Sequence, residues 1–192
     1  RVIDRPMRPL FPKDYRNDVT LENVVMDVDQ DCSPELVAML GSALATCISD
    51  IPFDGPTAAT QVGLVNGELV YNPTSAQREE SDLALTVAST RDKVIMIEAG
   101  ANEVDEDTMI QAIYGAHEIN GQIIEFFDKI VAECGKEKHE YEHFEIPQEL
   151  WDDMVAFITP AAMEEAVFTD VKQVREENIR KITEQLEERY AE

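Results

Sequence analysis

Positive charge is scarce in this chain of 192 residues: 16 Lys and Arg face 40 Asp and Glu, for a formal net charge of −24 and a pI near 4.3. Affinity for nucleic acid is dominated by cations meeting phosphates, so this composition argues against nonspecific binding to polyanions and leaves room only for a local basic site. Long apolar runs are also lacking. None approaches the roughly 20 residues that cross a bilayer, and no charged-then-apolar signal segment opens the chain, so a cytoplasmic location without a membrane partner is expected. Cysteine is sparse and odd in number, and the wide spacing of Cys32, Cys47 and Cys134 fits free thiols better than a disulfide framework or a zinc site. A glycine-rich phosphate loop, a nucleophile elbow, an internal repeat and a low-complexity tract are all missing. What is present is 44% hydrophobic content, enough to bury a sizeable core in one or two domains.

The pattern along the chain is mixed. Val19 to Asp27 alternates apolar and polar residues as a half-buried strand would. Ser33, Pro34 and Glu35 form a helix-start signature, and Leu36, Leu40, Ala43 and Cys47 follow at helical spacing. The prolines and glycine of residues 50–56 predict a loop. Ala59 to Val65 and Glu68 to Asn72 flank Asn66-Gly67, a strong hairpin signal because both turn residues tolerate positive φ. Ser75 to Ser81 reads as a polar loop. A second hairpin is expected from Leu83, Leu85 and Val87, a turn at Arg91-Asp92, and a strand from Val94 to Glu98. Asp105, Glu106 and Asp107 then favour a helix N-terminus, and Met109, Ile113, Ala116, Ile123, Phe127, Ile130 and Cys134 mark one face of a long helix ending at Gly135. Lys136 to Glu145 is charged and irregular. After Pro147 only helical patterns remain, over 148–158, 161–168 and 169–190. The expected fold class is α+β, with an α+β domain over residues 1–146 and a small all-α domain over residues 147–192.

The scarce cations are polarised towards the start, where Arg1, Arg5, Arg8, Lys13 and Arg16 outnumber Asp4, Asp14 and Asp18. The string Arg1-Val2-Ile3-Asp4-Arg5-Pro6-Met7-Arg8-Pro9-Leu10-Phe11-Pro12 closely resembles the first RNase PH-like domain of the bacterial polynucleotide phosphorylase family, and the likeness continues along the chain. The resemblance implies a partial RNase PH-like domain of the ribosomal S5 domain 2-like kind followed by that family's all-α domain. It implies that the opening strands, the second RNase PH-like domain and the C-terminal KH and S1 modules lie outside the chain. Family members are polyribonucleotide nucleotidyltransferases: Mg²⁺-dependent homotrimers that degrade RNA from the 3′ end with inorganic phosphate and release nucleoside diphosphates. Single-stranded RNA, phosphate and proteins of RNA-degradation machinery are therefore implied as partners of a parent enzyme.

The same resemblance implies that this copy is noncatalytic. Active copies carry Asp-Phe-Lys immediately before Val-Ala-Gly-Thr. Here Val87-Ala88-Ser89-Thr90 follows Ala84-Leu85-Thr86, so Ala84 stands at the metal-binding Asp position and Thr86 at the Lys position. A further catalytic Asp, six residues earlier, falls on Arg78. The family's phosphate-binding serine triplet falls on Ser33-Pro34-Glu35, where only the first hydroxyl survives, and the Glu35 carboxylate would repel phosphate at a helix N-terminus. No catalytic residue and no metal ligand is expected in this chain, and Mg²⁺ is expected to belong to the parent protein. Phosphorolysis needs a held phosphate, stabilisation of the leaving oxygen and an RNA channel, of which this chain would supply only the last.

Arg1, Arg5 and Arg8, spaced along one helical face, are the candidate RNA contacts, with pairing to acidic neighbours as the plainer reading. The alternative function is an acidic protein-interaction module without RNA or catalytic roles. His139 and His143 have a spacing that could grip a metal, but their charged surroundings favour a solvated segment. His117 is expected to be a hydrogen-bonded packing residue, Glu79, Glu80 and Asp82 hydrated loop charges, and Trp151 with Phe157 core of the helical domain.

Overall fold

A computed structural model describes residues 1–191; Glu192, the last residue of the expected helical domain, lies outside the described residues. The chain forms two compact units, Arg1–Glu142 and His143–Glu192. The first is α+β, and among the described residues all strands are in it.

Its sheet has four antiparallel strands in the order β2-β1-β3-β4, formed by β1 (Ala58–Val65), β2 (Glu68–Tyr71), β3 (Leu83–Ser89) and β4 (Val94–Ala101). Asn66 at φ 52° and Gly67 at φ 81° make the turn that joins β1 to β2 in the register Val65↔Glu68, the left-handed geometry that matches the twist of the flanking strands. Period-two alternation gives the sheet two buried faces. Val62, Leu83, Leu85 and Val87 pack on Ala112 and Ala116 of α4 (Glu106–Cys134), while Ala59, Ala88 and Met96 pack on Met39 of α2 (Pro34–Ile48) and on Val2 and Ile3 at the chain start. The first unit is thus a sheet between two helical layers.

The long helix α4 begins at Asp105, whose carboxylate accepts from the Thr108 backbone N–H at 2.9 Å. Alanines at 112 and 116 let it approach the sheet closely, and Asn120 pins its rotation: fully buried, it donates to Val87 O (3.1 Å) and Ser89 Oγ (3.0 Å) and accepts from Thr60 Oγ1 (2.8 Å). A satisfied polar network of this kind specifies one helix register, because any slip would strand several buried groups. Beyond Gly135 the chain stays attached to the unit, since the Lys138 ammonium donates to the carbonyls of Thr46, Cys47 and Ser49 and so caps the C-terminal end of α2.

The second unit holds α5 (Gln148–Phe157), α6 (Pro160–Val167) and α7 (Lys172–Arg189). Thr159 caps α6 through its hydroxyl, which accepts from Ala162 N–H. Arg189 of α7 makes a bidentate pair with Asp153 of α5 and lies over the Phe157 ring, 4.6 Å from its centroid. No helix among the described residues is long and apolar enough to cross a membrane.

Three local expectations are corrected, and the helix start at Ser33 is met without its side-chain cap. Residues 19–27 form no strand: Val24 is 69% and Met26 89% exposed, and Asn23 is tied through its side chain to Ser42 of α2. Alternation needs a neighbouring ladder to become a strand, and this segment lies against a helix. Residues 75–81 are not all loop, since α3 (Ser75–Glu79) forms under a capping box in which Thr74 and Gln77 satisfy each other's backbone N–H groups. Ser33 holds the N-cap position of α2, yet its hydroxyl donates to Glu35 at 2.8 Å rather than capping a backbone N–H. Trp151 and Phe157 are not core, being 51% and 42% exposed.

Candidate functional site

The basic opening is held from its apolar side. The short helix α1 (Asp4–Met7) continues into a tighter turn over Arg8–Leu10, and Arg5 N–H donates to Arg1 O at 3.0 Å, so the helical path starts at the first residue. Pro6 and Met7 are buried, Met7 beside Cys47 and Phe53, and the Phe11 ring tilts against Phe53 with centroids 4.9 Å apart. Anchored in this way, the segment leaves Arg1, Arg5 and Arg8 exposed. Arg8 pairs with Asp4, Nη2 to Oδ1 at 2.5 Å, an exposed contact worth at most about 1 kcal/mol. The guanidiniums of Arg1 and Arg5 have no protein partner among the described residues. Arg1 and Arg8 line one surface depression of about 540 Å³ that also takes in Tyr15, Asn17 and Asp18, and Arg5 lies outside it. The expected trio is therefore split in space.

The positions that the resemblance sets against catalytic groups come together elsewhere. Ala84 and Thr86 of β3 share a cavity of about 130 Å³ with Gln61 of β1 and Arg78 of α3. Arg78 also borders an adjoining cavity of about 210 Å³ lined by Ser33 of α2. At this junction the guanidinium donates to Pro73 O at 2.7 Å, Gln30 O at 2.8 Å and Asp31 O at 3.4 Å, while the Asp31 carboxylate accepts from Ser75 N–H at 2.9 Å. Arg78 is a fastener that ties residues 30–31 to the end of β2 and the start of α3. Glu35 is held below the usual carboxylate range, first by a backbone N–H and the Ser33 hydroxyl and also by the Arg78 charge. Ala84 offers no group that binds a metal, and the Thr86 hydroxyl carries no charge and moves no proton near neutral pH. The role of Arg78 escaped sequence reasoning, although Thr74 and Gln77 three residues apart carried the signal for the helix that delivers it.

The remaining candidates are dispersed. His117 on α4 is half-buried with its Nδ1 buried and unpartnered, so the expected hydrogen bond is not made there. His139 is half-buried rather than solvated, its Nε2 lying 3.2 Å from the Tyr15 hydroxyl, and His143 falls in the second unit. Tyr15 also meets Tyr141 edge-on, with centroids 5.1 Å apart, and the Tyr141 hydroxyl donates to Asp14. Glu79 and Glu80 are exposed, and Asp82 accepts a long contact from Asn102 at 3.5 Å. Among the described residues no group of three or more His, Cys, Asp and Glu could hold a metal ion. The three cysteines are free; burial pushes the Cys47 thiol up to about 11, while Cys32 and Cys134 are exposed.

Comparison with known proteins places this geometry. Residues 55–119, which span β1 to the middle of α4, match the 3′ exoribonuclease family, domain 2. The chain is 72% identical over all 192 of its residues to a polyribonucleotide nucleotidyltransferase of Lachnoclostridium phytofermentans, and 55% identical over 157 residues, 82% of the chain, to one of Alkaliphilus oremlandii. It covers 28% of the first protein and 22% of the second, about a quarter of the length of these relatives. A crystal structure of rice (Oryza sativa) Rrp46 is similar over 55% of this chain and 51% of its own, at 16% identity and a TM-score of 0.49.

Proposed function

We propose, starting from a chain that fits as a segment of a bacterial polyribonucleotide nucleotidyltransferase, that it is the noncatalytic scaffold and RNA-contacting part of a phosphorolytic 3′-to-5′ exoribonuclease. The observation that carries this reading is the junction at Arg78. The three positions where active copies would hold two carboxylates and a lysine are Arg78, Ala84 and Thr86, and they are neighbours in space around one small cavity. The arginine there donates three hydrogen bonds to backbone carbonyls. Mg²⁺ does not fit this donor set, because it demands oxygen ligands, usually carboxylates, and a cation would instead meet a guanidinium. The metal, the attacking phosphate and the proton transfers would therefore belong to parts of a parent enzyme outside this chain. A homotrimeric assembly, a cytoplasmic setting and partners from RNA-degradation machinery belong to the same proposal.

RNA contact would fall to Arg1, Arg5 and Arg8. Two of the three are unpaired, and the strongly acidic remainder would confine a polyanion to this end of the unit. Incubating the chain with poly(A), phosphate and Mg²⁺ tests the reading: no nucleoside diphosphate is expected, and phosphate-dependent release would overturn it. A second reading, an acidic protein-interaction module, is favoured by the helical unit, where Phe144, Phe168 and Val171 are 71%, 79% and 53% exposed. Binding to a basic protein, with no RNA binding at any salt concentration, would support that alternative.

A further inference from the structure

We propose that the depression beside the basic opening seats one nucleotide of single-stranded RNA, with its phosphate between Arg1 and Arg8 and its base against Tyr15. This rests on the RNA-contact reading above and names the pocket through which contact would occur. The depression, about 540 Å³, is large enough for a nucleotide and is lined entirely by residues 1–23. Its lining divides by chemistry: Arg1 and Arg8 supply cations, Asn17 and Asp18 supply hydrogen-bonding groups, and Met7 and Phe11 supply apolar surface, while Asp4 of the same lining pairs with Arg8, an exposed contact that a phosphate would have to displace. Arg1, Asn17 and Asp18 are exposed, and their side chains have no hydrogen-bond partner within the protein among the described residues, so nothing internal must be broken for them to meet a ligand.

Tyr15 adds what a simple anion site would not need. Its ring is fixed on two sides, by the Tyr141 ring at an interplanar angle of 87° and by His139 Nε2 at 3.2 Å from its hydroxyl. A ring already immobilised loses little entropy when a base stacks on it. An acidic peptide would use only the arginines and would bring a second carboxylate towards Asp18. A nucleotide brings one negative group together with an aromatic face and base-edge donors that a carboxylate can accept, so the pocket as a whole favours it.

The test compares a short oligoadenylate with an abasic ribose-phosphate oligomer of the same length and with oligoglutamate, by fluorescence anisotropy on the 192-residue chain. Oligoadenylate is expected to bind roughly tenfold more tightly than the abasic oligomer, the range of a single base–aromatic stack. Tyr15→Leu should abolish that ratio and Tyr15→Phe should preserve it, whereas Arg1→Gln with Arg8→Gln should weaken both oligomers together. Without any substitution, the ring protons of Tyr15 should shift in NMR spectra on titration with oligoadenylate and stay unmoved with the abasic oligomer. Equal, arginine-dependent binding of the two oligomers would overturn the pocket and leave the RNA-contact reading standing. Binding of neither would overturn both, and oligoglutamate binding as tightly as oligoadenylate would assign the depression to an acidic protein instead.

Discussion

In residues 1–142 the apolar side chains converge on three buried clusters, and the polar groups that go inside with them, Thr57, Thr60, Ser89 and Asn120, find partners there. In residues 143–192 the apolar side chains are as regularly spaced, yet Ala166 is the one buried residue among those described. The contrast shows that helical periodicity specifies a face but not what covers it. A four-stranded sheet presents two broad faces that helices can close. Three short helices leave most of their own stripes outside, and they hold together through caps, exposed i,i+4 pairs such as Lys181–Glu177, and the Arg189 clamp. Such surface terms are worth about 1 kcal/mol or less each.

The largest expected effect sets a core residue against a bigger exposed one. Leu85→Ala, at a side chain 1% exposed between β1 and α4, should cost the first unit about 3 kcal/mol in urea unfolding. Trp151→Ala, which removes more atoms from the helical unit, should cost less than about 1 kcal/mol. Equal losses would mean that Trp151 is buried in solution and that the contrast between the units fails.

Acid should separate the units by a smaller margin. The Asp153 carboxyl is held below its ordinary value of 3.8 by hydrogen bonds from Tyr190 and Arg189, so its contribution is present above that value and fades as the pH falls further, through the folded-state pKa. Asp105, the N-cap of α4, is lowered too, by the backbone N–H and hydroxyl of Thr108. Losing that cap leaves α4 packed on the sheet, whereas losing the Asp153 clamp releases α5 from α7. Far-UV circular dichroism below pH 3.8 should therefore show partial helix loss while tyrosine signals from the first unit persist. A single coincident transition would join the units into one cooperative body.

The smallest perturbation is chemical. Iodoacetamide near neutral pH should modify exposed Cys32 and Cys134 readily and spare Cys47, whose thiol is both buried and raised to about 11. Rapid labelling of Cys47 would show that the joint between α2 and α1 opens.

Elements with local causes were legible from residues alone. Asn66-Gly67 placed a hairpin because only a positive-φ pair closes it, and Asp105 through Gly135 placed α4 because cap, acidic first turn and apolar stripe agree. The stripe itself was rotated, since buried Asn120 breaks the apolar rule while satisfying every bond it needs. The alternation at residues 19–27 misled for the complementary reason: a strand is a property of two chains of hydrogen bonds, and one segment states only half of it. At the candidate site the absence of ionisable groups at Ala84 and Thr86 was readable, whereas the contribution of Arg78 required seeing which carbonyls lay within its reach.

Composition and order of residues by themselves determined that this protein is acidic, that it is α+β followed by helices, and that cations outnumber carboxylates in its opening residues, because charge, turn chemistry and periodicity act over a handful of neighbours. Only the tertiary structure decided that Arg78 fastens residues 30–31 to the end of β2, that Arg1 and Arg8 share a depression from which Arg5 is excluded, and that Tyr15 stands beside them. Those outcomes join residues distant in the chain or turn on the local bend of the backbone, where reach and burial are settled by how the layers pack rather than by any spacing along the sequence.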